Sequence, residues 1–183
     1  VPGHPRVAEK TVGIIESMAK DNNIEVETIA SMSFVDAMFN YLAIDPAEGF
    51  KLVDAFEIEN SYVDANTSMI ITQIYDRFIA SNVKLALMDY YDDEQEVCIV
   101  KAAGVKNLES KKYVKLYELD RPDNDFDYLT SLYIPKSEKS MYNTVKDLEN
   151  IVAELRGEGG CDWDRKQTHE SLKTHIVEEA YEL

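Results

Sequence analysis

This sequence is short of positive charge: 19 lysines and arginines stand against 35 aspartates and glutamates, a net charge of −16. A field of that sign repels phosphodiester backbones, and no basic stripe interrupts it, so the reading is no nucleic-acid partner. Long apolar runs are missing too. None approaches the roughly 18 residues of a membrane-crossing helix, so no membrane partner is expected. Cysteine is scarce, and Cys98 and Cys161 lie too far apart for a C-x-x-C pair. Cys98 sits in the apolar run 96–100 and reads as a buried core thiol; two unpaired, reduced cysteines fit a cytoplasmic protein. The chain opens Val1-Pro2-Gly3-His4-Pro5 without Met, charged n-region or apolar h-region. That opening is read as no signal peptide, and as a piece of a longer protein. Repeats and low-complexity stretches are absent.

What is present is enough apolar residue, 45% with 10% aromatic, to bury a sizeable core in one domain plus an appendage. Val7, Ala8, Val12, Ile15, Met18 and Ala19 recur at helical spacing, and 24–29 alternates at first as a strand does. Ser33 is an N-cap with Asp36 at the third helical position, opening a helix over 34–42. Asp45-Pro46 and Gly49 mark a turn. Strands are expected at 52–56, 68–72, 96–102 and 113–119, with a helix over 73–81 and an apolar run at 84–91 that is strand or helix end. Residues 129–134 close the domain before Pro135. The alternation of strands and helices predicts an α/β domain with a mixed sheet. A polar linker at 136–140 then leads into helix-only sequence over 141–183, where Val145, Leu148, Ile151, Val152 and Leu155 form an amphipathic stripe.

Near the C-terminus Glu178, Glu179 and Glu182 fall within about 100° of one helical arc, apart from Leu172, Ile176, Ala180 and Leu183. Three like charges one turn apart repel unless a cation with a taste for hard oxygen ligands joins them. By itself an E-E-x-x-E string also describes a solvated helix face. The upstream residues add Leu155-Arg156, Cys161-Asp162-Trp163-Asp164, and Gln167-Thr168-His169-x-Ser171-Leu172. Over its last 30 or so residues the chain thus closely resembles the opening of the MazG family of nucleoside triphosphate pyrophosphohydrolases. Asp162 stands where that family usually has proline, and the family's second acidic half-motif does not occur before Leu183. The resemblance implies Mg²⁺ held by Glu178, Glu179 and Glu182, with Glu179 as the catalytic carboxylate. It places Trp163, Gln167, Thr168 and Ser171 beside an NTP or dNTP substrate, with packing as the other reading of Trp163. His169 and His175, six apart, are read as non-ligands.

The α/β part carries its own motifs: Gly3-His4-Pro5, the run 24–33 ending at Ser33, and Ala102-Ala103-Gly104, with Leu116–Asp120 and Leu132–Pro135 near its end. In this order and spacing they resemble the tetrapyrrole (corrin and porphyrin) methylases over roughly 1–135, in the subgroup fused to a MazG domain. That resemblance implies S-adenosylmethionine near Gly3, His4, Pro5, Ser33, Ala103 and Gly104, a tetrapyrrole-like methyl acceptor, and a homo-oligomer. His4 replaces the family's usual aspartate, which leaves a polar role for that side chain open. Two functions follow. One is a bifunctional enzyme combining methyl transfer with Mg²⁺-dependent release of pyrophosphate from NTP, the 183-residue piece itself being inactive. The other makes the methylase-like part a non-catalytic ligand-binding or oligomerising module.

Overall fold

Strict alternation of two apolar sets builds the centre of the molecule. In the computed structural model, which describes residues 3–137 and 145–182, strand β2 (Ser68–Thr72) buries all five of its residues. Met69 and Ile71 enter one core and Ile70 enters another on the opposite face. Strand β3 (Glu96–Lys101) divides in the same way, Val97 and Ile99 to one side, Cys98 and Val100 to the other. A side-chain period of two residues makes this division unavoidable for a strand covered on both faces.

The sheet is five-stranded, in the order β1-β2-β5-β3-β4, with β1 at Phe50–Asp54, β4 at Ser110–Lys115 and β5 at Thr130–Ile134. β1 and β2 are parallel, while β5 runs antiparallel to both β2 and β3, and β4 antiparallel to β3. Three strands therefore share one direction, and their carboxyl ends lie at one edge of a mixed sheet. The larger core lies under α3 (Arg77–Met88), which contributes Ala80, Val83 and Leu87. The smaller core lies under α2 (Phe34–Leu42), which contributes Val35 and Met38. An edge-to-face pair of Phe39 and Phe50, with ring centroids 4.8 Å apart, ties α2 to β1.

Local chemistry sets the boundaries. Ser33 caps α2, its hydroxyl accepting from Val35 N at 3.1 Å while the Asp36 carboxylate accepts from Ser33 N at 2.8 Å, as the sequence led us to expect. Other expectations move. The strand expected at 52–56 is β1, ending at Asp54, whose carboxylate accepts from Phe56 N at 3.0 Å and starts a 3₁₀ turn. The helix expected at 73–81 begins only at Arg77. Gln73 takes φ +67°, and the Asp76 carboxylate caps α3 by accepting from Ile79 N at 2.9 Å. The apolar run 84–91 is mostly the end of that helix. The strand expected at 113–119 ends at Lys115 because Leu116 and Leu119 turn into the core through a 3₁₀ turn.

Residues 24–29 form no strand. Among the described residues no strand pairs with them, and Ile24 and Ile29 are exposed; alternation without a hydrogen-bonding neighbour does not make a strand. The helix read from Val7 onward is α1 (Lys10–Asp21), starting where the Glu9 carboxylate accepts from Thr11 N at 2.9 Å.

The chain divides into two compact units, Val1–Met141 and Tyr142–Leu183. The second contains α4 (Val145–Arg156), α5 (Asp162–Lys166) and α6 (His169–Glu182). Residues 138–140 of the expected linker and 141–144 of the expected helical segment lie outside the described residues, as do Val1, Pro2 and Leu183.

Cys98 is wholly buried and unbridged, and burial pushes its thiol up from 9.0 to about 11. At pH 8 a disulfide reagent should modify the partly exposed Cys161 rapidly and Cys98 only after unfolding; rapid native labelling of both would contradict this packing. In the fold Cys98 keeps its proton where the unfolded thiol has lost it, so its contribution is complete below pH 9.0. Stability to urea should then fall as pH rises toward about 11.

Candidate functional site

At the edge where β2 and β3 end and β5 begins, the sheet opens into a cleft of about 250 Å³. The ends of open α/β sheets are where crevices form, because the loops leaving adjacent strands diverge there. Thr72 and Gln73 come from the end of β2, and Val100, Ala102, Ala103 and Val105 from the end of β3 and its following loop. Thr130 and Ser131 open β5, with Tyr128 and Leu129 just before it. Phe34 and Met38 of α2 form one wall, and Val7 and Ala8 reach the same cleft from the N-terminal loop.

No lining residue carries a charge. The polar groups are hydroxyls and amides, several already held. Thr130 Oγ1 accepts from Asp127 N at 2.9 Å and lies 3.1 Å from Asp127 Oδ1. Ala102 N donates to Leu129 O at 3.0 Å, which fixes the β3 loop against the strand beside it. Just outside the cleft Lys101 Nζ meets Asp125 at 2.5 Å and Asp127 at 2.9 Å. The Asp125 and then the Asp127 carboxylate hold the Lys101 ammonium above its ordinary value, and Lys101 holds the Asp127 carboxyl below its own.

Strained backbone concentrates here. Ala8, Gln73 and Ala102, all lining the cleft, have φ of +53°, +67° and +47°. Each non-glycine residue in this region costs on the order of 1 kcal/mol or more, and such outliers gather where a ligand must be received.

The residues singled out from sequence scatter. Ala103 lines the cleft. Ser33 is the cap immediately before Phe34, and Gly104 follows Ala103 with φ +80°; a Cβ there would stand 2.8 Å from Ala37 Cβ. Gly104 is thus what lets the loop carrying Ala103 lie against α2. Gly3 and Pro5 line a different groove, of about 270 Å³, with Val12, Ile15 and residues 26–29. His4 Nδ1 accepts from Arg6 N at 3.2 Å. Sequence reasoning missed Phe34, Met38, Thr72, Gln73, Thr130 and Ser131. One signal was present: Thr72 was read as the last residue of a strand, and strand ends are where α/β sites sit.

In the second unit, α6 has its own reciprocal cap. Thr168 Oγ1 accepts from Ser171 N at 3.2 Å and Ser171 Oγ accepts from Thr168 N at 2.9 Å. Ser171 Oγ lies 2.7 Å from Gln167 Oε1, and Gln167 Nε2 donates to Trp163 O at 3.0 Å. Arg156 closes the turn by donating to Asp164 O at 2.8 Å and Gln167 O at 3.0 Å. Gln167, Thr168 and Ser171 therefore have structural work, while Trp163 is exposed. Glu178, Glu179 and Glu182 lie exposed on α6, with Glu178 3.6 Å from His175 Nδ1. Among the described residues no group of three or more His, Cys, Asp or Glu side chains comes together tightly enough to hold a metal ion.

The family profile of the Tetrapyrrole (Corrin/Porphyrin) Methylases matches residues 1–120. The uncharacterized protein YabN of Bacillus subtilis (strain 168) is 47% identical over 185 residues, covering all of this chain and 37% of its own length. The nucleoside triphosphate pyrophosphohydrolase/pyrophosphatase MazG of Thermotoga maritima is 58% identical over 38 residues, 21% of this chain and 15% of that protein. The chain thus spans little more than a third of the first relative. Among solved structures, uroporphyrin-III C-methyltransferase from Thermus thermophilus superposes with TM-score 0.59 at 13% identity, over 73% of this chain and 61% of that one. The same enzyme complexed with S-adenosyl homocysteine gives 0.55 at 16% identity, over 73% and 63%. The methyltransferase CobJ gives 0.55 at 10%, over 77% and 64%. At such identities the likeness establishes the fold.

Replacing Gly104 by Ala should destabilise the first unit by about 1–3 kcal/mol, since it meets both a disfavoured φ and the Ala37 contact. Urea unfolding measures this. An unchanged midpoint would mean that the 102–105 loop is not held against α2.

Proposed function

This chain belongs to the tetrapyrrole (corrin/porphyrin) methylase family, and from that premise we propose that its uncharged cleft holds S-adenosylmethionine for methyl transfer to a tetrapyrrole-like acceptor. The observation that carries the reading is the cleft itself: neutral walls at the carboxyl ends of β2 and β3, shaped by strained backbone at Ala8, Gln73 and Ala102. Neutral walls with hydroxyl and backbone groups suit a nucleoside and a sulfonium arm better than a phosphate, which would call for a basic cradle. Phe34 and Tyr128 offer π faces for an adenine or a cationic sulfur. When bound, S-adenosylmethionine would supply an electrophilic methyl group: an electron pair of the acceptor would form the new bond to carbon as the carbon–sulfur bond breaks, sulfur keeping the electrons of the broken bond and the acceptor's proton leaving to solvent. The residues of this chain bind and orient; none in the cleft has the charge or basicity to take that proton.

The second part of the reading concerns α6. The 38-residue likeness to a MazG pyrophosphohydrolase, with the capped helix presenting Glu178, Glu179 and Glu182, supports a site for Mg²⁺ and NTP or dNTP in the intact protein, with Trp163 beside the nucleotide. The donor chemistry fits a hard cation. Three glutamates on one helix do not fill an octahedral shell, so further oxygen ligands come from water, substrate phosphate and carboxylates outside this set. Bound there, Mg²⁺ would neutralise charge as water cleaves NTP to NMP and pyrophosphate. The exposed apolar stripes of α4 and α6, including Val145, Leu148, Ile176 and Tyr181, favour a homo-oligomer in which they are covered. A cytoplasmic location fits two free thiols.

Two measurements test these readings. Calorimetric titration of the intact protein should detect S-adenosylmethionine, and Ala103→Trp, which fills the cleft, should weaken binding at least tenfold. Equal affinity in the variant would move the cofactor elsewhere, and no binding to the wild type would leave the first unit a non-catalytic module. Separately, Glu179→Gln should abolish Mg²⁺-dependent pyrophosphate release while leaving the circular dichroism spectrum unchanged. Wild-type turnover in that variant would make the glutamates a solvated helix face.

A further inference from the structure

Two loops that form walls of the cleft are tied to each other from the opposite face of the sheet. Along β3, Val97 and Ile99 enter the core under α3, while Cys98 and Val100 enter the core under α2, and Val100 lines the cleft. By the same alternation Lys101, the last residue of β3, directs its side chain to the α3 side, away from the cleft. Its Nζ reaches Asp127 at 2.9 Å and Asp125 at 2.5 Å. The lysine side chain is 20% exposed, against 46% for Asp127 and 85% for Asp125.

Asp127 is the hub of the turn that leads into β5. Its Oδ1 accepts from Leu129 N at 2.9 Å and from Thr130 Oγ1 at 3.1 Å. Its own N–H donates to Thr130 Oγ1 at 2.9 Å, and its carbonyl accepts from Thr130 N at 3.0 Å. Oδ2 faces Lys101. One carboxylate thus joins the turn carrying Tyr128, Leu129 and Thr130 to the strand end carrying Ala102 and Ala103, all five of them cleft residues. The bond from Ala102 N to Leu129 O is a second tie between the same two segments. Ala102 needs such ties, because a non-glycine residue keeps a φ of +47° only where its surroundings fix it. An exposed ion pair by itself contributes little to stability. This one adjoins the strained residue directly, so its leverage is on the geometry of the cleft.

We propose that Lys101 and Asp127 are positioning residues: acting from behind the sheet, they hold two walls of the cleft in the arrangement that admits S-adenosylmethionine, and so set its affinity without touching it. This rests on the reading of the cleft as the cofactor site. Asp125 shares the lysine from solvent and does not anchor the turn.

The test uses the intact protein, with calorimetric titration of S-adenosylmethionine and hydrogen exchange measured without ligand. Lys101→Met and Asp127→Asn should each weaken binding about fivefold or more, with Lys101→Arg restoring it to within about twofold of wild type. A bulk charge effect on a sulfonium cofactor would instead have opposite signs, since one variant removes a cation and the other an anion. In the same two variants the amides of Ala102 and Leu129 should exchange faster, while that of Ile70 in the sheet centre is unchanged. Unchanged affinity in folded Lys101→Met, opposite shifts in the two variants, or equally faster exchange at Ile70 would overturn the proposal, the last by making the pair one of general stability. If Lys101→Met does not fold, Asp127→Asn and Asp125→Asn, which remove the same charge, decide the matter: only the former should weaken binding, and equal affinities would overturn the proposal. Absence of binding to the wild type would remove the cofactor reading, whereas unchanged exchange at Ala102 and Leu129 would remove the clamp, so the two failures are read from different measurements.

Discussion

Burial of β2 and β3 on both faces is the constraint from which the rest of the first unit follows. A strand covered on both sides has no solvent-facing residues to spare, so each alternate position must fit one of two cores. β2 satisfies this with Met69 and Ile71 on the α3 side and Ile70 on the α2 side, and β3 with Val97 and Ile99 against Cys98 and Val100. Their backbone groups must then be paired entirely within the sheet. Insertion of β5 between them, antiparallel to both, supplies those partners. The same insertion brings the start of β5 between the ends of β2 and β3, and the cleft is the space left where those three strands diverge.

That origin explains what sequence made legible. The inner strands were readable because their apolar pattern depends on burial within this chain. The cap of α2 was readable because Ser33 and Asp36 are three residues apart and satisfy each other's backbone. Residues 24–29 misled because alternation records only which faces are apolar, and no neighbouring strand is described beside them. Strand ends misled where one carboxylate decides the matter, as Asp54 and Asp76 do for the elements that follow β1 and β2.

The site was legible only in part, for a different reason. Ala103 and Gly104 belong to a short motif with a definite spacing. Thr72, Gln73, Thr130 and Ser131 meet only through the order of the sheet, in which β5 lies between strands distant from it in sequence. Positive φ at Gln73 and Ala102 leaves no mark in composition, since neither residue type advertises that conformation. In the second unit the motif residues were visible, but Thr168 and Ser171 are spent on a helix cap and Gln167 on the turn before it. A motif shared with a family there reports the local turn as much as the ligand.

Charge links the two units' chemistry. The chain's excess acid stays out of the cleft, whose lining is neutral, and appears instead as loop-end caps and as an exposed face of α6. The carboxylates of Asp54, Asp76 and Asp127 cap the 3₁₀ turn after β1, the start of α3 and the turn before β5, all at the edge where the cleft opens. Residues recruited to stop strands and start helices thereby set the potential that an incoming ligand meets. A carboxylate that bonds to backbone N–H remains an anion, and its charge reaches a Debye length of about 8 Å at physiological salt. The acid at that edge is thus a by-product of how the fold ends its strands and starts its helices.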